Sequence, residues 1–105
     1  VSLGTDLSGA HESLAADARL FVLKELAAQT DGRLNIILLQ RLLEQRYGIN
    51  RSREWIETQL RKLAEVDAIR LLNSAVMIAQ IARSGRDHLD GRSIVAGVTR
   101  PHEAE

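Results

Sequence analysis

The stretch Gly48–Leu72, GINRSREWIETQLRKLAEVDAIRLL, constrains the chain more than any other. Ile56, Leu60, Leu63 and Ala64 recur at spacings of four and three, the period of one helix face. Arg53, Glu54, Glu57, Thr58 and Arg61 fall on the opposite face. Ser52 is the preferred N-cap, with Asn50 as the alternative. The helix stops near Val66-Asp67, and Asp tolerates the left-handed conformation common at such ends. The period then shortens. Ala68–Leu72 and Ala75–Ile81 are short apolar runs joined by Asn73-Ser74, which predicts a hairpin with its turn at those two residues.

The chain before this stretch predicts two more helices. Residues 1–12 are rich in Gly, Ser, Thr and Asp and read as a flexible N-terminal arm. Ser13 is the expected N-cap of a first helix that runs to about Gln29, with Leu20, Leu23, Leu26 and Ala27 on one face. Thr30-Asp31-Gly32 is a turn cluster, and Arg33-Leu34 reads as a very short strand. Asn35 then caps a second helix, IILLQRLLEQRY, which Gly48 terminates. Its stripe is Ile36, Leu39, Leu43 and Tyr47. Ile37, Leu38 and Leu42 widen the apolar arc, so either both neighbouring helices cover it or part of it meets another subunit. After the hairpin, Ala82–Leu89 predicts a short last helix ended by Gly91. SIVAGV, residues 93–98, is either a strand or an extended packing segment, followed by a frayed tail from Pro101. The expected organisation is an arm (1–12), one domain (13–91) and a C-terminal packing segment with its tail (92–105).

The fold class expected from this order is mainly α with a small β-hairpin, a winged helix-turn-helix. "SREWIETQLRKLAEVDAI" resembles the recognition helix and exit of winged-helix regulators of the ArsR, MarR and PadR kind, with Leu60 and Leu63 in place. "IARSGRDHL" resembles their "LTxxGRxxL" segment, with Gly85 and Arg86 in register. The resemblance covers about residues 15–90, and the whole chain is similar to small winged-helix proteins encoded in Mu-like prophages. It departs at Asp67, where a Gly is usual, and at Ala82, where a Thr cap is usual. The expected hairpin tip also carries no Arg or Lys. The resemblance implies a DNA-binding transcriptional regulator or phage DNA accessory factor, acting as a homodimer with residues 52–66 as its recognition helix.

Composition narrows the chemistry. The 105 residues include 14 basic and 14 acidic side chains and no cysteine. Thiolate metal sites, disulfides and cysteine nucleophiles are thereby excluded. His11, His88 and His102 are too scattered for a set of about four zinc ligands, so no metal and no cofactor is expected. No serine-histidine-aspartate, paired-carboxylate or phosphate-loop pattern is present, and no enzyme is expected. No apolar run approaches the roughly 20 residues of a membrane span, and the start lacks the order of a signal peptide, so the expected location is cytoplasmic.

Net charge is zero, so any phosphate-binding excess must be local. Between Arg41 and Lys62 there are six basic and three acidic residues. Arg51, Ser52 and Arg53 stand at the helix end that enters the major groove in this motif, and Thr58, Arg61 and Lys62 follow along it. These six residues are the candidate contacts with double-stranded DNA. The competing reading is a solvated helix face with Glu57 and Arg61 as an ion pair, on a winged-helix protein-interaction module. Trp55 is expected to pack against the second helix, with stacking on a ligand or base as the alternative.

Overall fold

The computed structural model describes the backbone of residues 3–103 and the side chains of residues 12–103. It is mainly helical with a small antiparallel sheet. The order is α1 (Leu3–Ala27), β1 (Arg33–Asn35), α2 (Ile36–Tyr47), α3 (Arg53–Glu65), β2 (Ile69–Asn73), β3 (Met77–Ile81) and α4 (Arg83–Leu89). A single 3-10 turn follows at Pro101–Glu103. No helix among the described residues is long and apolar enough to cross a membrane.

Helix α1 begins at Leu3, which corrects the sequence reading on two points: residues 3–12 belong to the helix, and Ser13 lies inside it rather than capping it. Once packing fixes the second half of the helix, each residue added in front costs only propagation. Local loop signals at Gly4 and Gly9 are too weak to stop it. The side chains of residues 1–11 lie outside the described ones. From Ala15 on, α1 is the centre of the core. It packs against α2, α3, α4, β1 and β3, and Ala18, Leu20, Val22, Leu23 and Leu26 are fully buried.

Helix α2 starts directly from β1. The Asn35 carboxamide oxygen accepts the Leu38 N–H at 2.8 Å, and Gly48 ends the helix at φ 68°. There the Gly48 N–H bonds the Glu44 carbonyl at 3.1 Å and the Ile49 N–H bonds that of Leu43 at 2.9 Å, the closing pattern of a left-handed C-terminus. Ile36, Leu39 and Leu43 are buried, while Ile37 and Leu42 are half-buried and Leu38 is exposed. Both α1 and α3 pack on α2.

The sheet has the order β1-β3-β2, all antiparallel. The turn of the hairpin is Ser74-Ala75-Val76, because Asn73 pairs with Met77. This corrects the expected two-residue link. A turn at Asn73-Ser74 would set Ile69 opposite Ile78 and rotate Ala79 and Ile81 to the solvent face. The three-residue turn sets Ile69 opposite Ile81 and Leu71 opposite Ala79, and Ile69, Ala79 and Ile81 are buried.

The segment after α4 is irregular rather than a strand. Its Val95 and Val98 are buried within the same domain, while Ile94 is 64% exposed. His88 holds the segment from below. Its Nδ1 accepts the Val95 N–H at 3.0 Å, and its Nε2 lies 2.9 Å from the Thr99 carbonyl oxygen. An amide can only donate and a carbonyl can only accept, so the ring is neutral with its proton on Nε2. With both nitrogens occupied, His88 is buried to 1% exposure.

Candidate nucleic-acid interface

Helix α3 is positioned by Ile56, Gln59, Leu60 and Leu63, all buried. Its start is fixed by Ser52, whose Oγ accepts the Trp55 N–H at 3.1 Å. The exit is fixed by Asp67, at φ 61°, where the Ala68 N–H bonds the Leu63 carbonyl at 2.9 Å. This geometry leaves a continuous exposed helix face between the α2–α3 link and the sheet.

Arg51, Ser52, Arg53, Thr58, Arg61 and Lys62 are all exposed, yet they do not form one patch. At 3.6 residues per turn the outermost stripe of α3 is Glu54, Thr58, Arg61 and Glu65. Two of its four members are acidic. The Arg61 guanidinium is paired with the Glu57 carboxylate at 2.6 Å, one helical turn away, so the ion pair of the competing reading is present. Thr58 Oγ1 donates to the Glu54 carbonyl at 3.1 Å. Arg53 and Glu57 turn toward the hairpin and line a shallow cleft with Ile36, Val76 and Met77. Lys62 falls on the other flank, in a cleft with Glu12, Arg19 and Gly97.

The basic groups left at the helix N-terminus are Arg51 and Arg53. The Arg51 guanidinium lies 5.7 Å from the centroid of the Trp55 ring, a distance at which the ring face attracts a cation. The backbone of Arg51 is held as well, its carbonyl accepting from Gln40 Nε2 at 3.0 Å. Trp55 itself is half-buried and packs on the edge of the core. Ser52 spends its lone pair on the cap and keeps its hydroxyl hydrogen for an acceptor outside.

The sequence reading missed the polar group behind this helix. Arg19 of α1 is 3% exposed and Gln59 of α3 is 4% exposed. Arg19 Nη1 donates to Gln59 Oε1 at 2.6 Å, its Nε donates to the Gly97 carbonyl at 2.8 Å, and its Nη2 meets Glu12 at 3.0 Å. The signal was a pair of polar residues in apolar stripes. Arg19 lies four residues before Leu23, and Gln59 lies four before Leu63.

A second buried group joins α1 to α2. The Glu25 carboxylate accepts from Tyr47 Oη and from Arg46 Nε at 3.1 Å. Burial first, and then the hydrogen bond to Glu25, push the Tyr47 phenol up from 10.0 to about 12. Arg46 is therefore committed to α1 and does not extend the α3 surface. Among the described residues no cluster of three or more His, Asp or Glu side chains has the spacing to hold a metal ion. No protein-family model matches the chain, and neither a curated protein nor a solved structure matches it.

Proposed function

We propose that the chain is a winged helix-turn-helix module that binds double-stranded DNA, as a transcriptional regulator or an accessory factor on phage DNA. The observation that carries this reading is the exposed face of α3 with its capped N-terminus flanked by Arg51 and Arg53. A helix start with an exposed arginine on either side of its cap residue is suited to enter a major groove and meet phosphate. Thr58 lies further along the outer stripe, Arg61 joins the contact only by leaving Glu57, and Lys62, on the other flank of the helix, stays outside it. The β1-β3-β2 sheet beside α3 is compatible with a wing. A homodimer would set two such helices about one DNA turn apart.

A second reading is a protein-interaction module of the same fold. Glu54 and Glu65 on the outer stripe and the Glu57–Arg61 pair favour it, because each lowers the positive potential over α3.

Electrophoretic mobility shift on random duplex and on the DNA upstream of its own gene, at ~50 mM salt where phosphate contacts are strong, separates the two. Arg53→Glu is expected to abolish the shift and Arg61→Glu to weaken it less. Absence of any shift by the wild type removes the DNA reading. Equal shifts by wild type and both variants reject α3 as the contact. Light scattering after size exclusion tests the dimer, and a strict monomer rules out the two-helix geometry.

A further inference from the structure

The sheet order β1-β3-β2 leaves β1 and β2 as edges. β1 is three residues long and runs straight into α2. β2 has five residues, IRLLN, in unbroken register with β3. In an antiparallel ladder, residues that turn their N–H and C=O toward the partner alternate with residues that turn them away. Two bonds fix the phase here. The Ala82 N–H reaches the Ala68 carbonyl on the β2 side at 2.9 Å, and the Ile81 N–H reaches the Gly32 carbonyl on the β1 side at 2.9 Å. Arg70 and Leu72, in phase with Ala68, therefore turn their backbone groups to β3, while Ile69, Leu71 and Asn73 turn theirs to the open side. Among the described residues no backbone group of another element bonds those three.

Natural edges are blunted by lysine, proline, a bulge or extreme shortness. Shortness protects β1, and β2 has none of these devices. Its one charge is Arg70, which is exposed and shares an outward row with Gln80 and Arg33. Among the described residues Arg19, Arg46, Arg61 and Arg100 form ion pairs with carboxylates, and Arg70 does not. Leu72 is half-buried on the same outer face, with Ile78 beside it. Leu71 points to the other face, where it lines a shallow cleft with Arg61, Ala64 and Glu65 of α3. A residue placed opposite Arg70 on an added strand falls at a non-hydrogen-bonded pair, with Cα atoms about 4.5 Å apart and side chains in closest reach. A carboxylate complements that place. A second copy of β2 does not supply one. The register that pairs all three outward residues sets Leu71 on Leu71, and so sets each Arg70 against Leu72 of the other copy.

We propose that the open edge of β2 takes an extended acidic-apolar segment of a partner protein as a fourth strand, antiparallel to β2. Its carboxylate meets Arg70, an apolar side chain meets Leu72, and a small apolar side chain between them enters the Leu71 cleft. Main-chain bonds supply affinity in this mode, and the alternating side chains supply selectivity. This goes beyond the DNA reading and uses neither Arg51 nor Arg53. The test is residue-resolved amide hydrogen exchange by NMR, with the blocked peptide Thr-Val-Val-Glu-Val-Thr at millimolar concentration as the probe. Binding is expected to slow exchange at Leu71 and Asn73 and to leave Arg70 and Leu72, already bonded to β3, unchanged. Replacing the peptide's Glu by Lys is expected to weaken binding by about fivefold, the upper end for one cross-strand charge pair. Arg70→Glu, an exposed substitution whose thermal midpoint is checked, is expected to reverse that preference. N-methylation of the peptide's third residue, which faces Leu71, is expected to abolish binding. No slowing at Leu71 and Asn73 overturns the proposal, as does equal binding by the N-methylated peptide. An unreversed preference in Arg70→Glu rejects the acidic partner. Slowing that rises with protein concentration and needs no peptide overturns it in favour of a second copy, and slowing by a DNA duplex overturns it in favour of nucleic acid.

Discussion

Arg19 shows how one residue can tie three parts of the chain together. Its guanidinium reaches α3 through Gln59, the C-terminal segment through the Gly97 carbonyl, and the first half of α1 through Glu12. Water cannot replace these partners where the side chain is 3% exposed. Arg19→Ala is expected to lower unfolding free energy by about 1.5–3 kcal/mol, the range for hydrogen bonds to a charged group. Arg19→Lys recovers only part, because an ammonium lacks the fork. A urea midpoint unmoved by Arg19→Ala would contradict this account. Tyr47 gives a pH test at the same scale. It is the only tyrosine, stacked on Phe21 with ring centroids 4.1 Å apart. Its ionisation is raised in the fold, so its stabilising contribution is intact below pH 10.0 and is lost as pH rises toward about 12. Tyrosinate absorbance should therefore titrate near 12 in the folded protein. Glu25→Gln should bring that midpoint only part of the way back to 10.0, because burial is the larger cause.

At the level of elements, α4 depends on a missing side chain. Its first turn lies on the exit of α3, where the Ala82 N–H bonds the Ala68 carbonyl at 2.9 Å and Ser84 Oγ donates to the Asp67 carbonyl at 2.8 Å. A Cβ on Gly85 would come within 2.5 Å of the Ala68 carbonyl oxygen and 3.1 Å of both Ile81 and Leu23 side-chain carbons. The first of these neighbours is backbone and cannot swing away. Gly85→Ala is expected to destabilise by about 1–3 kcal/mol through overpacking, against the small gain that alanine normally brings inside a helix. Thermal denaturation reads the sign directly, and a stabilised Gly85→Ala protein would show that α4 does not dock this closely. The caps of α2 and α3 belong to the opposite kind of element feature. Asn35, Gly48, Ser52 and Asp67 were legible in the sequence because each acts on backbone groups within a few residues of itself.

For the whole molecule, the C-terminal segment is part of the fold rather than an addition to it. Val95 and Val98 are buried in the core, His88 binds the segment through both ring nitrogens, and Thr99 Oγ1 donates to Asp17 at 2.6 Å. Removing residues 92–105 strands Arg19, Asp17 and His88 together. The expected loss is on the order of 3 kcal/mol, from two valines and several buried hydrogen bonds less the entropy of ordering the segment. Equilibrium urea unfolding of the truncated chain should show a lower midpoint, and an unchanged midpoint would mean that the segment contributes nothing net.

The sequence by itself determined the helices from Leu14 onward, the caps of α2 and α3, the hairpin and the burial of Ile56, Leu60 and Leu63. All of these follow from interactions between residues near in the chain, whose periodicity and turn chemistry are written locally. Only the tertiary structure decided the three-residue hairpin turn, the place of β1 beside β3, the neutral His88 clasp and the Arg19–Gln59 pair. Those depend on which distant residues meet, and the pattern of one segment carries no record of its partner. The same reason explains the candidate surface. The sequence located the exposed residues of α3. The fold then decided that Arg61 is paired with Glu57, that Arg46 is bound to Glu25, and that Arg33 and Arg70 share an outward row with no carboxylate paired to either among the described residues.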